Sequence, residues 1–264
     1  KRMADLSIKT FRDYFYHVKY DSSQREFQQL MNIITTNETS FFRNEPQLLS
    51  FGNEVLPLLM TEKTAAKAPR TIKIWSAGCS TGEEPYTLAI LLLEKFRTTP
   101  GWTAEIIAGD ISENVLQKAR RGEYKGITLR NIAAHLLNTY FTRQEDTYTV
   151  KPEVKALVKF GLLNLNDQRM LSLQTNFDVI FCRNVMIYFS DEVKRRLARG
   201  FYNALRPGGY FYIGHSETMH GISKAFKLVY FKNALVYQKE AVGAAASQPD
   251  RKSTRLNSSH GKLS

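Results

Sequence analysis

Between residues 71 and 213 the chain alternates apolar, β-rich runs with segments of helical spacing, and this rhythm restricts the fold more than any other feature. Strands are expected at 72–77, 104–109, 177–182 and 210–213, and helices at 85–96, 113–120 and 191–205. Strands joined through a helix run parallel, and the helices cover both faces of the sheet they form. The implied fold class is α/β, a doubly wound parallel sheet. Two further runs, 228–231 and 234–237, are separated only by Lys232-Asn233. A gap this short forces an antiparallel pair, so one edge strand must be reversed.

The rhythm is absent on either side. Up to about residue 60, Phe11, Tyr14, Phe15 and Val18 recur at helical spacing, as do Phe27, Leu30, Met31 and Ile34, which predicts a small helical amino-terminal domain over 1–60. Residues 61–70, polar and small and containing Pro69, are expected to be a linker to the main domain at 71–240. Inside that domain 139–161 carries Tyr140, Phe141, Tyr148, Val150, Val154, Leu157 and Val158 among polar residues without a long helical stripe. We read a small antiparallel β insertion. Residues 241–264, rich in Ser with no apolar periodicity at their end, are expected to be a disordered or expression-derived tail.

At 43% hydrophobic over 264 residues, the chain can bury a full-sized core. No stretch approaches the ~20 uninterrupted apolar residues of a membrane span, and the first residues lack a signal-peptide pattern, so a cytoplasmic protein without direct membrane insertion is expected. Cys79 and Cys182 are too few for a disulfide framework, and neither sits in a Cys/His cluster, so no metal is expected. The net charge of +12 favours polyanionic partners, whether nucleic acid, an anionic membrane or an acidic protein surface.

Three segments carry the chemistry. The first strand runs into Ser76-Ala77-Gly78-Cys79-Ser80-Thr81-Gly82-Glu83-Glu84-Pro85, a glycine-containing turn into a helix whose start is marked by acids and proline. In open α/β sheets this turn is where a nucleotide-like ligand lies. Glu83 and Glu84 at the helix start do not suit a pyrophosphate, and favour hydroxyls, an amine or a sulfonium. The G-x-x-x-G spacing alone is also compatible with an ordinary turn. The second strand ends at Asp110, where a carboxylate commonly takes a ribose diol, although an acid there can also serve only as a surface or capping group. The strand at 177–182 gives Phe181-Cys182-Arg183-Asn184-Val185-Met186-Ile187-Tyr188-Phe189, without the Pro-Pro-aromatic segment that amino-methylating enzymes often carry there.

Together with Thr35-Thr36-Asn37-Glu38-Thr39-Ser40-Phe41-Phe42-Arg43, the first and last of these segments resemble the chemotaxis receptor methyltransferases, the CheR family, and Gly214-His215-Ser216-Glu217 fits as well. The likeness covers nearly everything up to Glu240. It implies a class I methyltransferase sheet and S-adenosylmethionine as cofactor, with S-adenosylhomocysteine as product. It assigns cofactor contacts to Asn37, Thr39, Arg43, Glu84, Asp110, Asn164, Leu165, Arg183 and Asn184, and brings Arg43 and Tyr188 nearest the transferred methyl. It also implies that the amino-terminal domain closes over the cofactor, and that Lys1-Arg2-Met3 is the end of a basic helix whose beginning lies outside the sequence.

The expected partner is the cytoplasmic helical domain of methyl-accepting chemotaxis receptors, and the expected reaction is esterification of receptor glutamates by direct displacement, without a general base. Arg43 would orient the attacking carboxylate, and Tyr188 would hydrogen-bond it or position the sulfonium group. A nucleic-acid methyltransferase is the alternative that the charge and the aromatics suit. The missing Pro-Pro-aromatic segment and the match of three ordered motifs stand against it.

Overall fold

A computed structural model describes residues 2–34 and 38–241. Asn37 and the expected tail from residue 242 onward lie outside the described residues. The amino-terminal helices are α1 (Arg2–Asp5), α2 (Phe11–Tyr20) and α3 (Arg25–Ile34). Thr10 starts α2 by accepting the Asp13 N–H on its hydroxyl. Tyr14 and Arg2 both donate to the buried Glu26 carboxylate, at 2.7 Å from the Tyr14 hydroxyl and 2.9 Å from Arg2 Nε, which ties α1, α2 and α3 together.

Next come α4 (Glu45–Ser50), a π-helical stretch Phe51–Val55, and α5 (Leu56–Ala65). The first half of the segment expected as a linker at 61–70 is therefore helix. Nothing between Thr61 and Ala65 breaks a helix, and Pro69 is the first residue that does. Phe51, Val55, Leu56 and Leu59 are fully buried in the same core as Ile72, Ile74, Leu88 and Ile90. The second half of the expected helical domain is thus a layer of the main domain.

The alternating region follows as β1 (Thr71–Ala77), α6 (Glu83–Thr98), β2 (Thr103–Asp110) and α7 (Glu113–Arg121). After it come β3 (Glu123–Tyr124), α8 (Ala134–Tyr140), β4 (Phe141–Gln144), β5 (Thr147–Val150), α9 (Pro152–Lys155) and β6 (Val158–Leu162). The chain continues with α10 (Gln168–Ser172), β7 (Phe177–Cys182), α11 (Asp191–Ala204), β8 (Leu205–Ile213), β9 (Lys227–Tyr230) and β10 (Leu235–Gln238). The main sheet has the order β6-β2-β1-β7-β8-β10-β9. Its first five strands are parallel, and β10 runs antiparallel to both β8 and β9. The reversed strand forced by the tight hairpin is therefore β10, threaded between β8 and the edge strand β9.

The β insertion is present as an antiparallel sheet in the order β3-β5-β4, but its limits differ from 139–161. It recruits Glu123 and Tyr124 upstream and ends at Val150. Residues 158–162 form β6, an edge strand of the main sheet paired with β2. Only Val158 of that strand is fully buried, so it lacks the continuous apolar run by which central parallel strands are read. Alternation along the strands divides the core into two layers. Val179, Phe181, Tyr210 and Tyr212 face α5 and α6, while Ile180, Cys182, Phe211 and Ile213 face Leu197, Ala198 and Phe201 of α11. No described helix is long and apolar enough to cross a membrane.

Candidate active site

The strand order turns back between β1 and β7, so the loops leaving their carboxyl ends diverge and open a crevice, the position where ligands bind in such sheets. In the loop after β1, Gly78 has φ +82°, and the N–H groups of Gly78 and Cys79 both donate to the Gly109 carbonyl, at 2.8 and 3.0 Å. A Cβ on Gly78 would lie 2.4 Å from Val185 Cγ2. Glycine is required there by both backbone angle and space.

Asp110 ends β2 at 9% exposure. Its Oδ2 accepts the Ser80 N–H at 2.9 Å and its Oδ1 the Ser112 N–H at 3.0 Å. Burial pushes this carboxyl above its ordinary value, against those backbone donors. On the other side of β1, Ser76 donates to Glu84 Oε1 at 2.8 Å, and Arg183 Nη1 lies 3.2 Å from Glu84 Oε2. Burial raises the Glu84 carboxyl and lowers the Arg183 guanidinium, and their mutual attraction opposes both shifts. Arg183 Nη2 also donates to the Arg43 carbonyl at 2.6 Å, which folds the segment before α4 over the crevice. Arg43 Nη1 in turn donates to the Glu38 carbonyl at 2.7 Å.

These groups line one cavity of about 470 Å³. Of the ten residues singled out from the sequence, nine line it: Thr39, Arg43, Glu84, Asp110, Asn164, Leu165, Arg183, Asn184 and Tyr188. Tyr188 stands at the mouth, 62% exposed. Met31 and Ile34 also reach the cavity from α3, and Ile187 and Phe189 from the loop after β7. The spacing of Met31 and Ile34 had marked them only as one apolar face of a helix. His215 is exposed and not part of the lining. Glu217, noted only as fitting a motif, accepts backbone N–H groups from the loops after both β7 and β8.

Residues 37–235 match the family model described as the CheR methyltransferase, SAM binding domain. The chain belongs to the CheR methyltransferase family. It is similar to chemotaxis protein methyltransferase 2 of Vibrio cholerae, 37% identical over 244 residues covering 92% of this chain and 83% of that protein. The chemotaxis protein methyltransferase of Borreliella burgdorferi is 39% identical over 216 residues, covering 81% of this chain and 76% of its own. That of Escherichia coli is 35% identical over 233 residues, covering 86% and 77%.

The chain is accordingly an S-adenosylmethionine-dependent methyltransferase, and the cavity fits that donor. Its volume falls within the roughly 300–1,000 Å³ of small-molecule sites. Asp110, fixed by two backbone donors, would have lone pairs left to accept from a diol. Glu84 and Arg183 would supply one charge of each sign for an amino-acid moiety, and Arg183 Nε is buried without a hydrogen-bond partner among the described residues.

Proposed function

We propose that this CheR-family chain methylates glutamate side-chain carboxylates of chemoreceptors, forming γ-methyl esters and S-adenosylhomocysteine in the adaptation step of bacterial chemotaxis. The chemotaxis methyltransferases to which it is similar support this acceptor class. The observation that carries the chemistry is the state of the buried acids and thiol of the cavity. Glu84 is engaged by Ser76 and Arg183, Asp110 holds two backbone N–H groups, and burial raises the Cys79 thiol far above its ordinary value. No histidine is among the described residues lining the cavity.

A site so made suits an acceptor that needs no deprotonation. A glutamate with an ordinary pKa near ~4.3 is ionised at neutral pH, whereas an amine would arrive as ammonium and have to lose a proton. Bound in the cavity, S-adenosylmethionine supplies a methyl group on a sulfonium centre already activated toward a nucleophile. What remains for the protein is alignment and exclusion of water, effects that reach about 7–11 kcal/mol when geometry is ideal. Arg43 orients the incoming carboxylate without neutralising it, and Tyr188 at the mouth holds it in line. Met31, Ile34, Ile187 and Phe189 provide the apolar wall that excludes water. On this reading residues 2–34 close the cavity toward the receptor's cytoplasmic helical domain, residues 71–240 carry the donor site, and the enzyme works in the cytoplasm on protein.

The test is the linkage formed. After incubation with methyl-labelled cofactor and receptor fragments, mild alkali is expected to release the label as volatile methanol. Label that stays non-volatile would overturn the carboxylate assignment and point to an amine or nucleic-acid acceptor.

A further inference from the structure

Glu217 lies outside the cavity lining; its hydrogen bonds to the loop that carries Arg183, Asn184 and Tyr188 are with backbone N–H groups, and its charge also acts on the Arg183 guanidinium. Its Oε2 accepts the Asn184 N–H at 2.9 Å and the Gly214 N–H at 2.6 Å, and its Oε1 accepts the Ile187 N–H at 3.1 Å. One half-buried carboxylate thus gathers donors from two loops that leave neighbouring strands, β7 and β8.

Each of the three amides sits where the local chain is poorly held. Asn184 has φ +58°, in the left-handed region that residues with a Cβ adopt at a cost. Ile187 is the middle residue of the single 3₁₀ turn Met186–Tyr188, and it is exposed. A turn this short has little cohesion of its own. Gly214 must lack a side chain for the arrangement to exist, since a Cβ there would lie 2.6 Å from Glu217 Oε2 and 3.0 Å from the Asn184 nitrogen. Glu217 is itself anchored: its N–H donates to the Gly214 carbonyl at 2.9 Å, and two residues on the Met219 N–H donates to the Tyr237 hydroxyl at 3.1 Å. The clamp is thereby tied to β10, the reversed strand.

We propose that Glu217 is a positioning residue: its carboxylate locks the β7 and β8 loops together and so sets Arg183, Asn184 and Tyr188 at the angle the donor requires. The charge is the reason for a glutamate at this position. Three N–H groups converging on two oxygens form a small anion site, and a neutral amide presents one oxygen and an NH₂ group that repels the remaining donor. The inference rests on the assignment of Arg183 and Asn184 to the donor site, and on nothing about the acceptor.

The experiment uses the whole chain carrying Glu217→Ala, Glu217→Gln or Gly214→Ala, the last displacing the carboxylate without removing its charge. S-adenosylhomocysteine binding is measured by calorimetry and amide hydrogen exchange by mass spectrometry, neither of which depends on turnover. Glu217→Ala and Gly214→Ala are each expected to weaken binding by about ten- to a hundredfold, and Glu217→Gln by an intermediate factor. Exchange is expected to rise in residues 183–189 and at Gly214 while β7 and the central part of β8 stay protected. Unchanged affinity in folded variants would overturn the proposal, with or without faster loop exchange. So would exchange that rises across the whole sheet, because Glu217 would then be supporting the fold and not the loop. Absence of S-adenosylhomocysteine binding by the parent chain would overturn the donor-site assignment and this inference together.

Discussion

Asp110 and Glu84 owe their positions to one piece of local chemistry, a parallel strand ending at the point where the next helix begins. Each is held by donors the fold supplies, backbone N–H groups for Asp110 and Ser76 with Arg183 for Glu84. Asp110→Ala removes the acceptor for charge-assisted hydrogen bonds worth about 1.5–3 kcal/mol, so S-adenosylhomocysteine affinity is expected to fall by about ten- to a hundredfold in calorimetry. The same variant carries a sign for pH. Burial raises the Asp110 carboxyl above its ordinary 3.8, so the folded chain holds its proton more tightly than the unfolded one. Its contribution to stability is fully present below 3.8 and is lost as pH rises through the folded value. Donor binding that uses the ionised form moves the opposite way, weakening on acidification in the parent chain and less steeply in the alanine variant, where Glu84 alone of the two buried acids remains to titrate.

At the scale of elements, the surprise is α5. Its sequence runs from Leu56, Leu59 and Met60 into the polar stretch after Thr61, and only the first half looks like core. Leu59 is fully buried in the core that includes residues of β1 and α6, so Leu59→Ala is expected to destabilise the chain by about 2–5 kcal/mol, through lost burial plus the cavity left behind. Urea unfolding should show this as a shifted midpoint with the slope unchanged. A loss below about 0.5 kcal/mol, the ordinary range for surface substitutions, would place α5 outside the main core. By contrast β6, though equally part of the main sheet, contributes one fully buried residue and marks an edge that the alternation of its sequence could not distinguish from a hairpin strand.

For the molecule as a whole, the contacts between residues 2–34 and the sheet domain include the Ser112 hydroxyl donating to Asn32 Oδ1 at 2.5 Å. Their internal cohesion centres on Glu26, whose carboxyl is lowered by the hydrogen bond from Arg2, against its burial, with Tyr14 and the charge of His17 assisting. A lowered carboxyl contributes stability above its ordinary 4.5 that is lost as pH falls through the folded value. Acidification below 4.5 is therefore expected to open α1 to α3 while β7 remains closed. Hydrogen exchange, corrected for intrinsic rates, checks this, and Glu26→Gln should open the same helices at neutral pH and remove the acid dependence. Unchanged protection of residues 2–34 in Glu26→Gln at neutral pH would contradict it.

The alternation of strand and helix, the antiparallel pair at the carboxyl end and the cavity-lining residues at strand ends were all legible in the sequence, because each is set by short-range periodicity or by a motif a few residues long. Asp110 and Gly78 declared themselves through the turn chemistry around them. The family resemblance supplied Arg43, Asn164 and Leu165, which no local pattern marks. What the sequence could not declare depends on separations of a hundred residues or more. The Arg183 guanidinium meets the Arg43 carbonyl across 140 positions, and the Gln47 amide donates to the Ile213 carbonyl across 166. Whether Phe51 to Met60 belongs to a separate helical bundle or to the sheet's own core was likewise undecidable from spacing, since an amphipathic face states that it must be buried and not against what. That choice was made only when β1, α5 and α6 came together and left one apolar surface to cover.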